Sequence, residues 1–345
     1  MTTTLRDRTG EDLVDVHAHY APPIPDDRRP AILAAHQRSN FLFPPASKWS
    51  PELAIEFMDA NGIRAQLLSN PNQLTANSAR RFNDFGAGVV TGRPDRFGLL
   101  ANLPLTEPRA ALSEIDRAAD DLNADGFVLI TNYDGRYLGD PAFDDIFSAL
   151  NGRAATVFVH PVEPAGFPHL SCGRPGPVIE FPMDTARTIV DAVYARIFLR
   201  YPRISFIIAH AGGVLPVLAT RIATTGMLGW VPNPNNVTAD EVRAQLAGLY
   251  YDTALSAHAN SLLPLLETTT ASHIVFGSDY PPADESVIEI NMQLLKATTV
   301  LDDNELSAMA TTATALFPRL AAPAKATQGE PRSPDKPTLP NHDPR

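Results

Sequence analysis

Short β-branched or aliphatic runs alternate along the chain with longer stretches whose apolar residues recur every three or four positions, the pattern of βα units around a parallel sheet. Eight runs read as strands, over residues 13–19, 64–70, 97–104, 126–131, 156–161, 204–210, 249–253 and 273–279. The spacing predicts eight helices, over 51–61, 78–93, 108–122, 143–152, 184–201, 215–225, 260–268 and 284–297. Eight of each imply an α/β chain folded as a (β/α)8 TIM barrel. The rival architecture, a doubly wound open sheet, usually carries a glycine-rich phosphate turn after its first strand. Here His17-Ala18-His19-Tyr20 occupies that place, and Gly86-Ala87-Gly88 lies inside a helical pattern and reads as packing.

Two regions fall outside the alternation. Residues 20–50 form a long, proline-rich loop insertion after strand 1, with Phe41, Phe43 and Trp49, and an insertion of this length is expected to roof a pocket. Residues 321–345 are rich in Pro, Lys, Asp and Ser with almost no large apolar side chain, so a disordered C-terminal tail is expected. With a flexible N-terminus over 1–11, one barrel domain remains over 12–320.

Composition narrows the function classes. The 345 residues are 44% hydrophobic and 19% charged, enough for one large core. A net charge of −11 with no basic stripe argues against nucleic acid as a partner. No apolar run approaches the roughly 20 residues that span a bilayer, the start is polar, and the single Cys172 has no internal disulfide partner. A cytoplasmic protein without a membrane partner is expected.

The chemistry lies at the predicted strand ends. In Val14-Asp15-Val16-His17-Ala18-His19, residues two apart on an extended strand share a face, so His17 and His19 can offer two imidazole nitrogens to one ion. The fifth strand ends Phe158-Val159-His160-Pro161, the sixth Ile208-Ala209-His210-Ala211-Gly212, and the eighth Gly277-Ser278-Asp279-Tyr280-Pro281. A lone histidine at such an end is as readily a capping residue satisfied by a backbone carbonyl. Several at the carboxyl ends of barrel strands converge on one mouth. His17, His19, His160 and Asp279 then make a three-imidazole, one-carboxylate set suited to a single Zn2+, with Mn2+ as the alternative. Such an ion lowers the pKa of a bound water to about 7 in favourable cases. His210, aided by Asp279, is left as the proton-transfer residue.

This constellation resembles the amidohydrolase superfamily over about residues 12–320. A two-metal member would bring a carboxylated lysine, or a glutamate in its place, at the end of strand 4. That strand is Gly126-Phe127-Val128-Leu129-Ile130-Thr131, and the only lysines are Lys48, Lys296, Lys325 and Lys336, so one metal is implied. The segments Trp49-Ser50-Pro51-Glu52, Met58-Asp59-Ala60-Asn61-Gly62, Tyr137-Leu138-Gly139-Asp140-Pro141, His210-Ala211-Gly212-Gly213 and Phe276-Gly277-Ser278-Asp279-Tyr280-Pro281 are similar to the branch holding the aminocarboxymuconate-semialdehyde and hydroxybenzoate decarboxylases. Ile179-Glu180-Phe181-Pro182-Met183-Asp184-Thr185 is similar to a segment of 6-methylsalicylate decarboxylases.

The resemblance implies a carboxy-lyase that decarboxylates a small aromatic acid without an oxidant. The alternative is a metal-dependent hydrolase of a lactone, amide or ester. Ala54 and Glu56 stand where aminocarboxymuconate-semialdehyde decarboxylases carry arginines, which favours a monocarboxylate. Arg221 matches a family arginine that reaches a neighbouring subunit's site, implying a homo-oligomer, a dimer first; a surface salt bridge is its other reading. Tyr20, Trp49, Asn70, Phe181 and Tyr280 are candidates to line the pocket, each alternatively plain packing. His169 and His258 are further candidate substrate contacts, or solvated loop residues.

Overall fold

A computed structural model describes residues 13–42 and 49–321. The segment 1–11 and the tail beyond residue 321, both expected to be flexible, lie outside the described residues, as does Phe43. Eight parallel strands, β1 (Leu13–His19), β2 (Ile63–Ser69), β3 (Phe97–Asn102), β4 (Gly126–Ile130), β5 (Thr156–His160), β6 (Ser205–Ile208), β7 (Tyr250–Asp252) and β8 (Ile274–Val275), pair in chain order. The ring closes where the chain beyond β8 meets β1. There Val16 N donates to Phe276 O (3.0 Å), Asp279 N to His17 O (2.8 Å) and His19 N to Tyr280 O (2.7 Å). The predicted eighth strand is therefore shared: its first residues ladder with β7 and its last ones with β1. The expected (β/α)8 barrel is the observed architecture.

Eleven helices of eight residues or more are described: α1 (Arg29–Arg38), α2 (Pro51–Asn61), α3 (Ala76–Gly92), α4 (Pro108–Asp120), α5 (Asp144–Gly152), α6 (Glu180–Tyr194), α7 (Leu215–Thr225), α8 (Ala239–Ala247), α9 (Ala259–Leu266), α10 (Glu285–Ala297) and α11 (Asp303–Leu316). Local chemistry sets their ends. In α2 the Ser50 hydroxyl accepts from Leu53 N, Pro51 fills the first position, where no backbone N–H is needed, and Gly62 stops the helix at φ 70°. The helix predicted over 184–201 instead starts at Glu180 and breaks after Tyr194, where Arg196 adopts φ 62° before a short turn, Ile197–Arg200. Gly86 is packing, as expected: a Cβ there would meet Leu99 Cδ1 at 2.7 Å and the Tyr20 ring at 3.0 Å.

The side chains form two apolar cores. Val14, Val16, Ala65, Leu67, Leu100, Val128, Phe158, Ile207, Ala209 and Val275 fill the inside of the ring, and Ala313 of α11 with Phe317 and Leu320 just beyond it join them from below. The larger core lies between the outer face of the strands and the helices. At the floor Arg319 reaches both carboxylate oxygens of Asp125 (2.8 and 2.7 Å) and the carbonyls of Pro94 and Phe97 (2.6 and 2.7 Å), tying the last described helical turn to the starts of β3 and β4. At the opposite end the insertion carries α1, and Asn40 donates to Ser171 Oγ (3.0 Å) and Arg174 O (3.2 Å) in the loop after β5. Among the described residues no helix is long and apolar enough to cross a membrane.

Candidate metal centre

Strict alternation along β1 would set His17 and His19 on the face of Leu13 and Asp15, away from Val14 and Val16, which point into the ring. A bulge prevents this. Asp15 pairs with Gln66 and Ala18 with Leu68, so Val16 and His17 together oppose one residue of β2 and the phase shifts by one. The shared face expected for the two histidines is observed, and the bulge makes it the inner face. His17 N, which the bulge removes from the ladder, donates to Asp15 Oδ1 (3.1 Å). The same carboxylate accepts from Ser278 N (3.0 Å), Ser278 Oγ (2.6 Å) and Gln66 Nε2 (3.0 Å), which fastens both ligand-bearing strands. Burial raises the Asp15 pKa to about 6 against the pull of these hydrogen bonds.

One ligand atom from each of His17, His19, His160 and Asp279 lies within 4.8 Å of the others. His17 Nε2 is 3.1 Å from His19 Nε2, and Asp279 Oδ1 is 3.3 and 3.0 Å from the two. The His160 ring centre stands 5.0 and 4.9 Å from those of His17 and His19, edge to face. Each Nδ1 is engaged outward: His17 with Asp252 Oδ2 (2.8 Å), His19 with Ser69 Oγ (2.9 Å) and His160 with the Pro161 carbonyl (2.7 Å). A carbonyl only accepts, so His160 carries its proton on Nδ1 and turns a bare Nε2 inward. That Nε2 is buried without a hydrogen-bond partner. Three Nε2 atoms and a carboxylate oxygen facing one point fit a divalent cation, and outward hydrogen bonds of this kind orient metal-binding imidazoles.

Charge argues the same way. Burial disfavours charge on His17, yet Asp252 and Asp279 override it and raise its pKa to about 10. Burial lowers His19, and it lowers His160 strongly, helped there by the neighbouring imidazoles. Burial also opposes ionisation of Asp279, but the flanking His17, His19 and His210 hold it well below the usual carboxylate range. The cluster thus keeps positive charge between two carboxylates.

His210 follows β6 in a tight turn of four residues of positive φ, His210 to Gly213, at 56, 53, 76 and 61°. Its backbone N donates to Asp252 Oδ1 (2.9 Å), its Nδ1 faces the Ala254 carbonyl (3.1 Å), and its Nε2 stands 4.0 Å from Asp279 Oδ2. His17, His210 and Asp252 form a second donor group sharing His17 with the first. Sequence reading missed Asp252, the carboxylate joining His17 to His210, along with the supports Asp15 and Ser69. The available signal was the abrupt polar end of β7, Tyr251-Asp252-Thr253.

The candidate pocket residues divide. Phe181 is brought to the site, its ring centre 6.3 Å from that of His160. Tyr20 is buried in the outer core, its hydroxyl donating to Phe82 O (2.9 Å), with Trp49 and Phe85 beside it. Asn70 donates to Tyr20 O (2.9 Å) and braces the turn after β2. Trp49 packs on Tyr20 and Phe85, and Tyr280 stacks on Phe57 at 4.1 Å. Tyr20, Trp49, Asn70 and Tyr280 therefore build the wall, because their rings and amides are committed to neighbouring side chains and backbone. Arg221 is exposed on α7, His169 is exposed in the short helical turn Phe167–Leu170, and His258 is exposed just before α9.

A family profile described as amidohydrolase matches residues 14–319. The chain is 32% identical over 319 residues to a 6-methylsalicylic acid decarboxylase of Penicillium expansum, covering 89% of this chain and 96% of that protein. A solved amidohydrolase structure superposes with a TM-score of 0.76 at 28% identity over 89% of this chain and 99% of the other. A dihydroxybenzoic acid decarboxylase from Polaromonas, solved with manganese and the inhibitor 2-nitroresorcinol, shares the fold with a TM-score of 0.74 at 20% identity, covering 90% and 98%.

Proposed function

The chain belongs to the amidohydrolase family, and from that premise we propose that it is a metal-dependent, non-oxidative decarboxylase of a small aromatic acid, a carbon–carbon lyase whose first-choice substrate is a 6-methylsalicylate-like monocarboxylate. The observation that carries the reading is the inward donor set of His17, His19, His160 and Asp279 with His210 beside it. These four residues would hold a single ion, Zn2+ first and Mn2+ as the alternative. When bound, the ion supplies a Lewis acid for a carboxylate or phenolic oxygen.

The residues of the chain supply the proton chemistry. The reaction places a proton on the ring carbon that bears the carboxylate, breaks the bond from that carbon to the carboxyl group and releases carbon dioxide, which restores aromaticity. Asp279 Oδ1 is held by His17 and His19, so Oδ2 remains to face His210. His210, its Nδ1 fixed on Ala254 O, takes up a proton from solvent at Nε2 and passes it by way of Asp279 Oδ2 to the ring carbon, so the proton gained by the ring replaces the carboxyl group that leaves as carbon dioxide. Phe181 supplies an aromatic edge beside His160 for the substrate ring. Exposed Arg221 serves the neighbouring subunit of a homodimer in this reading, and the location is cytoplasmic.

The test incubates zinc-loaded and manganese-loaded protein with 6-methylsalicylate, 2,6-dihydroxybenzoate and a panel of lactones. Release of the matching phenol, and bicarbonate-dependent carboxylation of that phenol, are expected. Lactone opening without either would establish the hydrolase instead.

A further inference from the structure

The N-terminal half of α6 is fastened to the rest of the site by one fully buried carboxylate. Asp184 has no solvent exposure, and its Oδ2 accepts from Thr131 Oγ1 and from Asn132 Nδ2 (2.9 Å) while Oδ1 accepts from Tyr137 OH (2.9 Å). Thr131 is the residue directly after β4. Its Oγ1 also accepts from Val162 N (3.1 Å), and its own N donates to His160 O (3.0 Å). Between these two contacts stands Pro161, whose carbonyl takes the His160 Nδ1 proton. The path from Asp184 to a candidate metal ligand is thus one side chain and one peptide long.

The same helix continues the contact along one face. Residues 184, 188 and 191 fall on one side of α6 at helical spacing. They meet Tyr137 OH, Leu138 N (3.2 Å to Thr188 Oγ1) and Gly139 N (2.8 Å to Asp191 Oδ2) in turn. Its first turn carries Phe181 beside His160, and Pro182 O lies 2.5 Å from where a Cβ on Gly213 would stand, in the turn after His210. One helix end therefore borders the end of β5 and the turn after β6, and Asp184 is where it is anchored.

We propose that Asp184 is a positioning residue that sets the His160 imidazole through Thr131 and holds Phe181 at its distance from it. This rests on the metal-site reading above. Thr188 and Asp191 fasten the same helix farther from the site and serve its stability alone. Outer hydrogen-bond partners of metal ligands typically change metal affinity or activity by about 10–100-fold when lost. Asn at position 184 keeps the shape but turns an amide NH2 toward a donor, and Val at 131 removes both the donor to Asp184 and the acceptor for Val162 N.

The experiment measures Mn2+ and Zn2+ affinity by chelator competition, and melting temperature, for the full chain and for D184N, T131V, T131S and T188A. D184N and T131V should weaken metal binding about tenfold or more, and T131S, which keeps the hydroxyl, should restore it. T188A should lower the melting temperature and leave metal affinity within about twofold. The proposal is overturned if T131V and D184N bind metal like the unsubstituted chain, or if T188A weakens metal as much as they do. Should D184N fail to fold, the T131V and T131S pair decides alone. Absence of metal binding by the unsubstituted chain would instead defeat the metal-site reading, and absence of decarboxylation with metal bound would defeat only the assigned activity.

Discussion

At the floor of the barrel the interior ends in hydrocarbon from Ala313, Phe317 and Leu320 and is clamped by Arg319, whereas at the mouth the same interior ends in four imidazoles and two carboxylates. Burying apolar surface at the floor stabilises whatever the mouth does. Gathering the partnerless His160 Nε2, three further imidazoles and two carboxylates at the mouth costs desolvation that a cation would offset. The two ends therefore divide the work: the floor carries stability, and the mouth carries a structural cost in exchange for chemistry.

Substitutions can break that division. The largest expected effect is at the mouth: His17→Ala and Asp279→Ala should each lose stoichiometric metal, measured by elemental analysis, and about 10³-fold or more in turnover. Retention of one ion per chain in both would remove these residues from the ligand set. Next is the floor, where Phe317→Ala should cost about 3–5 kcal/mol in urea unfolding, as for other buried aromatic truncations. The enzyme that remains folded should keep kcat/KM within about twofold, and a parallel loss of turnover would show that floor and mouth are coupled.

The smallest effect concerns pH. Asp15 has a folded pKa raised by burial to about 6, above its unfolded value, so its contribution to stability is full below about pH 4 and is lost as pH rises through 6. In chelator-treated protein, Asp15→Asn should flatten the stability decline between pH 4 and 7 by on the order of 2 kcal/mol. An unchanged slope in chemical denaturation would show that Asp15 is not the group responsible.

Much of this was legible in the chain, because parallel strands buried on both faces read as apolar runs and the candidate ligands sit where those runs stop. His160 and Asp279 could be placed for that reason. The helices α8 and α11 were missed although each begins with a capping box, Thr238 with Glu241 and Asp302 with Glu305, a pattern readable from sequence. α1 was missed because its apolar residues define no buried face: none of its residues is buried. Tyr20 and Asn70 were proposed for the pocket from their place after strand ends, but which way a loop side chain turns depends on tertiary neighbours such as Phe82, which no local pattern encodes. Asp252 escaped notice because its role is to hold other residues, and a supporting carboxylate has no spacing rule of its own.

The bulge in β1 carries a consequence for anyone who would move this chemistry elsewhere. Copying the run Leu13–His19 into the first strand of another barrel as a regularly alternating strand would aim both rings at the helix layer unless the bulge, with the Asp15 carboxylate receiving its stray N–H, formed there too. Losing the bulge at unchanged length would turn the mouth inside out, with hydrocarbon facing the substrate and imidazoles facing the scaffold, whereas removing the extra residue would leave both rings on the inner face. The identity of the pocket is stored in the register of one strand as much as in the kinds of its residues.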